Sequence, residues 1–133
     1  MEIISLKKDI NVFYSDVPGF PNGIKEAFDE LYHKGGGRDY YGISYMDEQG
    51  RVIYKAAAAE HYDGEGKELG FEKAMSIQKG DYLAITYRNW MQAPQKIKDY
   101  FEQLMKDPRF DDTYPCVEWY KSDDEVLIMV KAK

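Results

Sequence analysis

Cysteine occurs once in this 133-residue chain, at Cys116, so no internal disulfide can staple it. A lone thiol fits a reducing compartment, and the cytoplasm is the expected location. Histidine occurs only at His33 and His61. They stand far apart, with no cysteine or acid at ligand spacing, so no metal site is expected. The longest aliphatic run, Val126 to Val130, is a quarter of the roughly 20 apolar residues that a spanning helix needs, and no membrane segment is expected. The opening Met1-Glu2-Ile3-Ile4-Ser5-Leu6-Lys7-Lys8-Asp9 brings an acid at once and no apolar stretch, which does not fit a signal peptide. Basic residues are also in deficit: 18 Lys and Arg stand against 24 Asp and Glu, a formal charge of −6. Phosphate backbones are held by cations that displace counterions, so direct nucleic-acid binding is not expected.

What the chain has in excess is tyrosine. Twelve of its twenty aromatic residues are Tyr, a side chain with an apolar face and a polar tip, favoured where a surface holds a ligand. Strands also favour aromatics, so a β-rich core accounts for them equally well. The length suits a single domain with a real core.

Two segments have helical spacing. Ile24, Ala27, Phe28 and Leu31 fall at i, i+3, i+4 and i+7, after a Pro21-Asn22-Gly23 turn with Asn22 as the expected cap, and Gly35-Gly36-Gly37 ends the pattern. Ile97, Phe101 and Leu104, with Tyr100 beside them, form the second, with Pro94 in its first turn and Asp107-Pro108 as its stop. Strands are expected at Asn11 to Ser15, at Tyr40 to Met46 and Arg51 to Ala58 joined by an Asp47-Glu48-Gln49-Gly50 turn, and within Met75 to Tyr87, interrupted at Lys79-Gly80-Asp81. A last hairpin runs from Cys116 to Tyr120 and Val126 to Ala132. Glu60 to Gly70, with three glycines and four acids, has the composition of a solvated linker. Its acids and spacing do not suit a phosphate loop, and Lys67 spoils it as a calcium loop.

The two halves repeat the same order of strand, helix, strand, turn, strand. Ile24, Phe28 and Leu31 match Ile97, Phe101 and Leu104 at an offset of 73; Ile43-Ser44-Tyr45 matches Val117-Glu118-Trp119, and Val52 matches Val126, at 74. So steady an offset points to an internal duplication. The expected architecture is therefore α+β: a single domain of two strand-helix-strand-strand modules, about 1–62 and 71–133, separated by a linker at about 63–70. They would make a mainly antiparallel sheet with two helices, related by a pseudo-twofold axis, with a pocket between the halves.

Glu118 is the candidate functional residue. Alternation in Pro115 to Tyr120 sets Val117 and Trp119 on one face and Glu118 with Tyr120 on the other. If Val117 and Trp119 face the helices, Glu118 points into the space that the halves enclose; if the opposite face is wet, it is a surface acid. Its repeat mate is Ser44, so the module's fold does not need the carboxylate. No nucleophilic triad is arguable, and Cys116 is most simply a small buried hydrophobe.

The chain resembles the gyrase-inhibitor-like (GyrI-like) small-molecule-binding domain, also found as the effector-binding domain of multidrug-responsive transcription regulators. The likeness is carried by Met75 to Tyr87, including Lys79-Gly80-Asp81-Tyr82, by Pro115 to Tyr120 with its Glu118-Trp119-Tyr120, and by Asp123 to Val130. Arg88-Asn89-Trp90 stands where the family often has a glycine, and Val130-Lys131 replaces a frequent proline-valine pair. The two modules use up the length and leave no room for a helix-turn-helix, which implies a stand-alone form.

The resemblance implies binding of amphipathic, cationic or aromatic compounds, for sensing or sequestration, with no cofactor. Glu118 would supply the charge, and Tyr120, Tyr82, Trp90, Tyr41 and Tyr45 the walls, since ring faces attract desolvated cations. Tyr45 and Trp119 match across the repeat, which also suits core packing. Two alternatives use the same sequence differently. Glu118 as general base would make a hydrolase of strained electrophilic compounds, as in some GyrI-like relatives. An acidic surface at Asp123-Asp124-Glu125 would make an interaction module that inhibits a DNA enzyme.

Overall fold

A computed structural model describes residues 1–133. Period-two alternation builds eight strands: β1 (Glu2–Leu6), β2 (Ile10–Asp16), β3 (Tyr40–Met46), β4 (Val52–Ala59), β5 (Lys73–Ile77), β6 (Gly80–Arg88), β7 (Cys116–Tyr120) and β8 (Glu125–Lys131). The 3.6-residue pattern builds α1 (Ile24–Gly35) and α3 (Lys96–Met105), with a one-turn α2 (Glu65–Glu68) between the halves. The cap of α1 is Gly23 at φ 93, not Asn22: the left-handed backbone there turns the chain into the helix, and no side chain caps it. No helix is long and apolar enough to cross a membrane.

All strand pairs are antiparallel, in one curled sheet of order β1-β6-β8-β7-β3-β4-β2-β5. Outward from the central β3·β7 pair, the order is β4, β2, β5 on one side and β8, β6, β1 on the other. The hairpin registers keep the repeat: Ser44 faces Tyr54, and Glu118 faces Ile128, each residue 74 positions after its mate. The outermost strands are exchanged, since β1 from the first half pairs with β6 and β5 from the second pairs with β2.

Both faces of the sheet are apolar. On the helix side, Leu31 of α1 packs with Phe13, Tyr54, Ala56 and Ala58, while Ile97, Phe101 and Leu104 of α3 pack with Leu83, Val126, Ile128 and Val130. On the other side, Val12, Tyr41, Ile43, Val117, Leu127 and Met129 form a separate cluster closed by the curl of the sheet. Val117 belongs to that cluster and Trp119 packs against it, so Val117 and Trp119 face away from the helices. Glu118 and Tyr120 are therefore on the helix side, so the condition that Val117 and Trp119 face the helices is not met, and Glu118 is buried by another route. The alternation was correct; a curled sheet encloses its second face too, so alternation could not say which face carries helices.

Glu60 to Gly70 is exposed along most of its length, as a linker would be, but it is anchored at a buried turn of helix, α2. Its Glu65 is buried, and Arg38 spends all five guanidinium hydrogens around it: on Oε1 at 2.5 Å and Oε2 at 3.2 Å of Glu65, twice on the Gly35 carbonyl at 3.0 and 2.9 Å, and on the Ala59 carbonyl at 3.0 Å. One side chain thus ties the end of α1, the end of β4 and α2 together. Gly66 lies so close to Phe13 that an added Cβ would stand 2.4 Å from the Phe13 Cβ.

Candidate functional site

The site forms at the seam where the two halves meet. In the β3·β7 ladder, Tyr40 pairs with Tyr120 and Gly42 with Glu118. Period two sets these rungs on one face, beneath α1 and α3. Glu118 is 9% exposed, and no lysine, arginine or histidine pairs with it. Instead its Oε1 accepts hydrogen bonds from the Tyr54 hydroxyl at 3.0 Å and from the Tyr120 hydroxyl in a short contact. Tyr54 belongs to β4, beyond β3, so its hydroxyl reaches Glu118 by crossing β3 at Gly42. A Cβ at that position would stand 2.2 Å from the Tyr54 hydroxyl and 2.6 Å from Glu118 Oε1. An isolated glycine within a strand marks such a close approach.

Each donor tyrosine is held by an aromatic from a strand-to-helix connection. Phe20, ahead of α1, stacks on Tyr54 with centroids 4.8 Å apart. Trp90 begins a single 3₁₀ turn, Trp90–Gln92, ahead of α3, and lies 5.1 Å from the Tyr120 ring, whose other neighbour, Phe28, meets it edge-on at 5.4 Å. Between α1 and the Trp90 turn opens a groove of about 920 Å³ lined by Phe28, Tyr32, Tyr40, Trp90 and Tyr120, among others. Its basic lining residues are engaged: Lys25 with Asp29, Arg38 with Glu65, and Lys121 over the Trp119 ring.

Burial pushes the Glu118 carboxyl above the ordinary range, and the two tyrosine hydroxyls recover part of the shift. Burial and the Glu118 charge together push both Tyr54 and Tyr120 well up, so both remain hydrogen-bond donors. The Cys116 thiol is pushed up to about 11, chiefly by burial, which makes it unreactive. Because folded Glu118 holds its proton more tightly than unfolded Glu118, its contribution is most favourable below about pH 4.5, the ordinary value, and is lost as pH rises through the raised folded value. Thermal melts from pH 4.5 to 8 should show wild type losing stability across that window relative to Glu118→Gln. Parallel pH profiles would contradict the buried, unpaired state.

Of the residues named from the sequence, the structure sets Tyr120 against both Glu118 and Trp90. Tyr41, Tyr45 and Tyr82 lie elsewhere. Tyr82 is buried on the far face, donating to the Gln78 carbonyl at 2.7 Å. Tyr41 is buried there against Trp119, with ring centroids 5.9 Å apart. Tyr45 is 42% exposed, at 5.8 Å from Lys55 Nζ, so it is not core either. Sequence reasoning missed Tyr54, Phe20, Phe28, Tyr40 and Gly42. Two signals were available: the lone glycine in β3, and Tyr54 standing at the repeat position of Ile128.

No protein-family model matches the chain, and no curated protein matches it in sequence. Solved structures do share its fold. An integron cassette protein from the mobile metagenome of Vibrio cholerae superposes with a TM-score of 0.71 at 13% identity, covering 99% of this chain and 95% of that one. A protein named SAV2435, solved bound to tetraphenylphosphonium, gives 0.67 at 11% identity, covering 99% and 93%. A hydrolase from Listeria innocua gives 0.60 at 13% identity, covering 99% and 91%. At such identities the likeness is one of fold.

Proposed function

We propose that this chain is a GyrI-like small-molecule-binding domain that takes amphipathic cations in the groove between α1 and the Trp90 turn, in sensing or sequestration. The carrying observation is Glu118: a buried carboxylate with no cation of the protein's own, bonded to two tyrosines, one of which, Tyr120, lies against the rings of Phe28 and Trp90. Burial of an unpaired carboxylate is costly, and a bound cation supplies the missing countercharge. Ring faces of Tyr120, Trp90, Phe28 and Tyr40 add cation–π attraction of about 0.5–2 kcal/mol each where desolvated. The net charge of −6 draws cations toward the molecule. The groove volume falls within the roughly 300–1,000 Å³ of ordinary ligand sites. A fold neighbour solved with tetraphenylphosphonium bound supports the same ligand chemistry.

The test is a tryptophan-fluorescence titration with tetraphenylphosphonium, neutral triphenylphosphine oxide and anionic tetraphenylborate. Trp90, against Tyr120, is the reporter. The cation is expected to bind in the micromolar range, the other two far more weakly, and Glu118→Gln to weaken the cation at least about ten-fold. Equal binding of the borate, or no effect of Glu118→Gln, would defeat the reading. Binding should also strengthen as pH rises through the raised Glu118 value, because only the ionised acid attracts the cation.

A further inference from the structure

The two oxygens of Glu118 are not equivalent. Oε1 accepts both tyrosine hydroxyls, which fills its two lone pairs, while Oε2 accepts nothing from the protein. Nor is Oε2 sealed in. Trp119 Nε1 is the one fully enclosed side-chain polar atom without a partner, so Oε2 keeps contact with accessible space. On the ladder it lies one rung in from the groove: Tyr40 and Tyr120 line the groove, and Gly42 with Glu118 follows on the same face, behind that lining.

We propose that the groove selects protonated amines, aromatic ammonium ions with at least one N–H, over quaternary cations of the same shape. This rests on the cation-binding reading above and narrows its ligand class. A largely buried carboxylate oxygen without a donor, one rung in from the groove, is an acceptor waiting for one. An ammonium N–H completes it with a short, directional, charge-assisted bond. A quaternary centre has no hydrogen to give, and its alkyl groups hold the positive charge further from Oε2, so it gains only the ring attraction and a weakened Coulomb contact. Within the protein no donor competes for the position, since Tyr54 and Tyr120 are committed to Oε1 and the groove's basic lining residues are engaged elsewhere.

The experiment compares a diphenylalkyl dimethylamine, protonated at pH 7.5, with its N-methyl quaternary derivative by calorimetric titration. Wild type should bind the protonated amine about ten-fold more tightly, the scale of one charge-assisted hydrogen bond in a partly exposed site. Glu118→Gln should reduce that preference to about two-fold or less, since the remaining difference is shape alone. If wild type binds both equally, or the quaternary ion better, and both still depend on Glu118, the amine preference is overturned while cation binding stands. If both bind equally well to wild type and Glu118→Gln, or neither binds wild type, the broader reading falls and this one with it.

Discussion

Arg38→Ala is expected to destabilise the fold by about 3 kcal/mol, the typical cost of stripping one partner from a buried ion pair. The side chains of Arg38 and Glu65 are only 5% and 10% exposed. Removing the guanidinium leaves Glu65 with the His61 backbone N–H at 2.8 Å and the His61 ring at 3.2 Å, and orphans the Gly35 and Ala59 carbonyls. Packing over Phe13, 5.3 Å from the guanidinium carbon, is lost as well. Urea denaturation at pH 7 measures the effect, with Lys25→Ala, which breaks only an exposed pair, as a control that should leave the midpoint almost unmoved. The pH dependence has a definite sign. Arg38 pulls the Glu65 carboxyl down to about 2, so the pair's contribution is complete above the ordinary value of 4.5 and disappears as pH falls toward 2. The gap between wild type and variant should therefore narrow in acid. A loss at pH 7 no larger than that of the surface control would show that the pair is solvated after all.

Gly42→Ala should be the most damaging single-methyl change in the site, costing about 2 kcal/mol from overpacking. In an unobstructed strand the same substitution is favourable by roughly 0.5–1 kcal/mol, because glycine loses more freedom on folding. Here the clash decides the sign: the new methyl would sit 2.2 Å from the Tyr54 hydroxyl, 2.9 Å from its Cζ and 2.6 Å from Glu118 Oε1. Tyr54 must withdraw, and Glu118 loses a donor. Chemical denaturation of Gly42→Ala in wild-type and Tyr54→Leu backgrounds separates this from a general strand defect. The cost should fall in the Leu background, where the colliding ring is gone, and a cost unchanged by Tyr54→Leu would refute the crossing as its source.

These contacts also show what could be read from the chain alone. The strand at Tyr40–Met46 was legible to the residue because its flanks carry glycines and a turn, and the core faces of α1 and α3 followed from the 3.6 period. Glu118 was legible because a carboxylate interrupted a β-forming run whose repeat mate is a serine. Strand β1 was not, since it is an edge strand of mixed polarity with little buried surface. Short α2 was hidden by its glycines and acids; it is held by Arg38, 27 positions away from Glu65, rather than by local propensity. Tyr54 looked like one more strand tyrosine. Its role depends on a neighbour two strands away, and strand order is what single-sequence alternation leaves open. The same gap placed Tyr41, Tyr45 and Tyr82 near Glu118, when the sheet carries them on its far side.

The exchanged outer strands set an order of events during synthesis. Strand β1 leaves the ribosome first, yet its partner is β6, where Glu2 meets Ala84; it waits unpaired until more than half of the chain has emerged. Strand β2 likewise has one side open until β5 appears, and β3 lacks its seam partner until β7, near the end. The N-terminal half therefore cannot finish as an independent unit, and the pairings that close the sheet are all long in sequence separation, which makes folding slow relative to a helical chain of this size. Glu118 is itself on β7, so the carboxylate enters its place among the completed first-half strands only as the molecule closes.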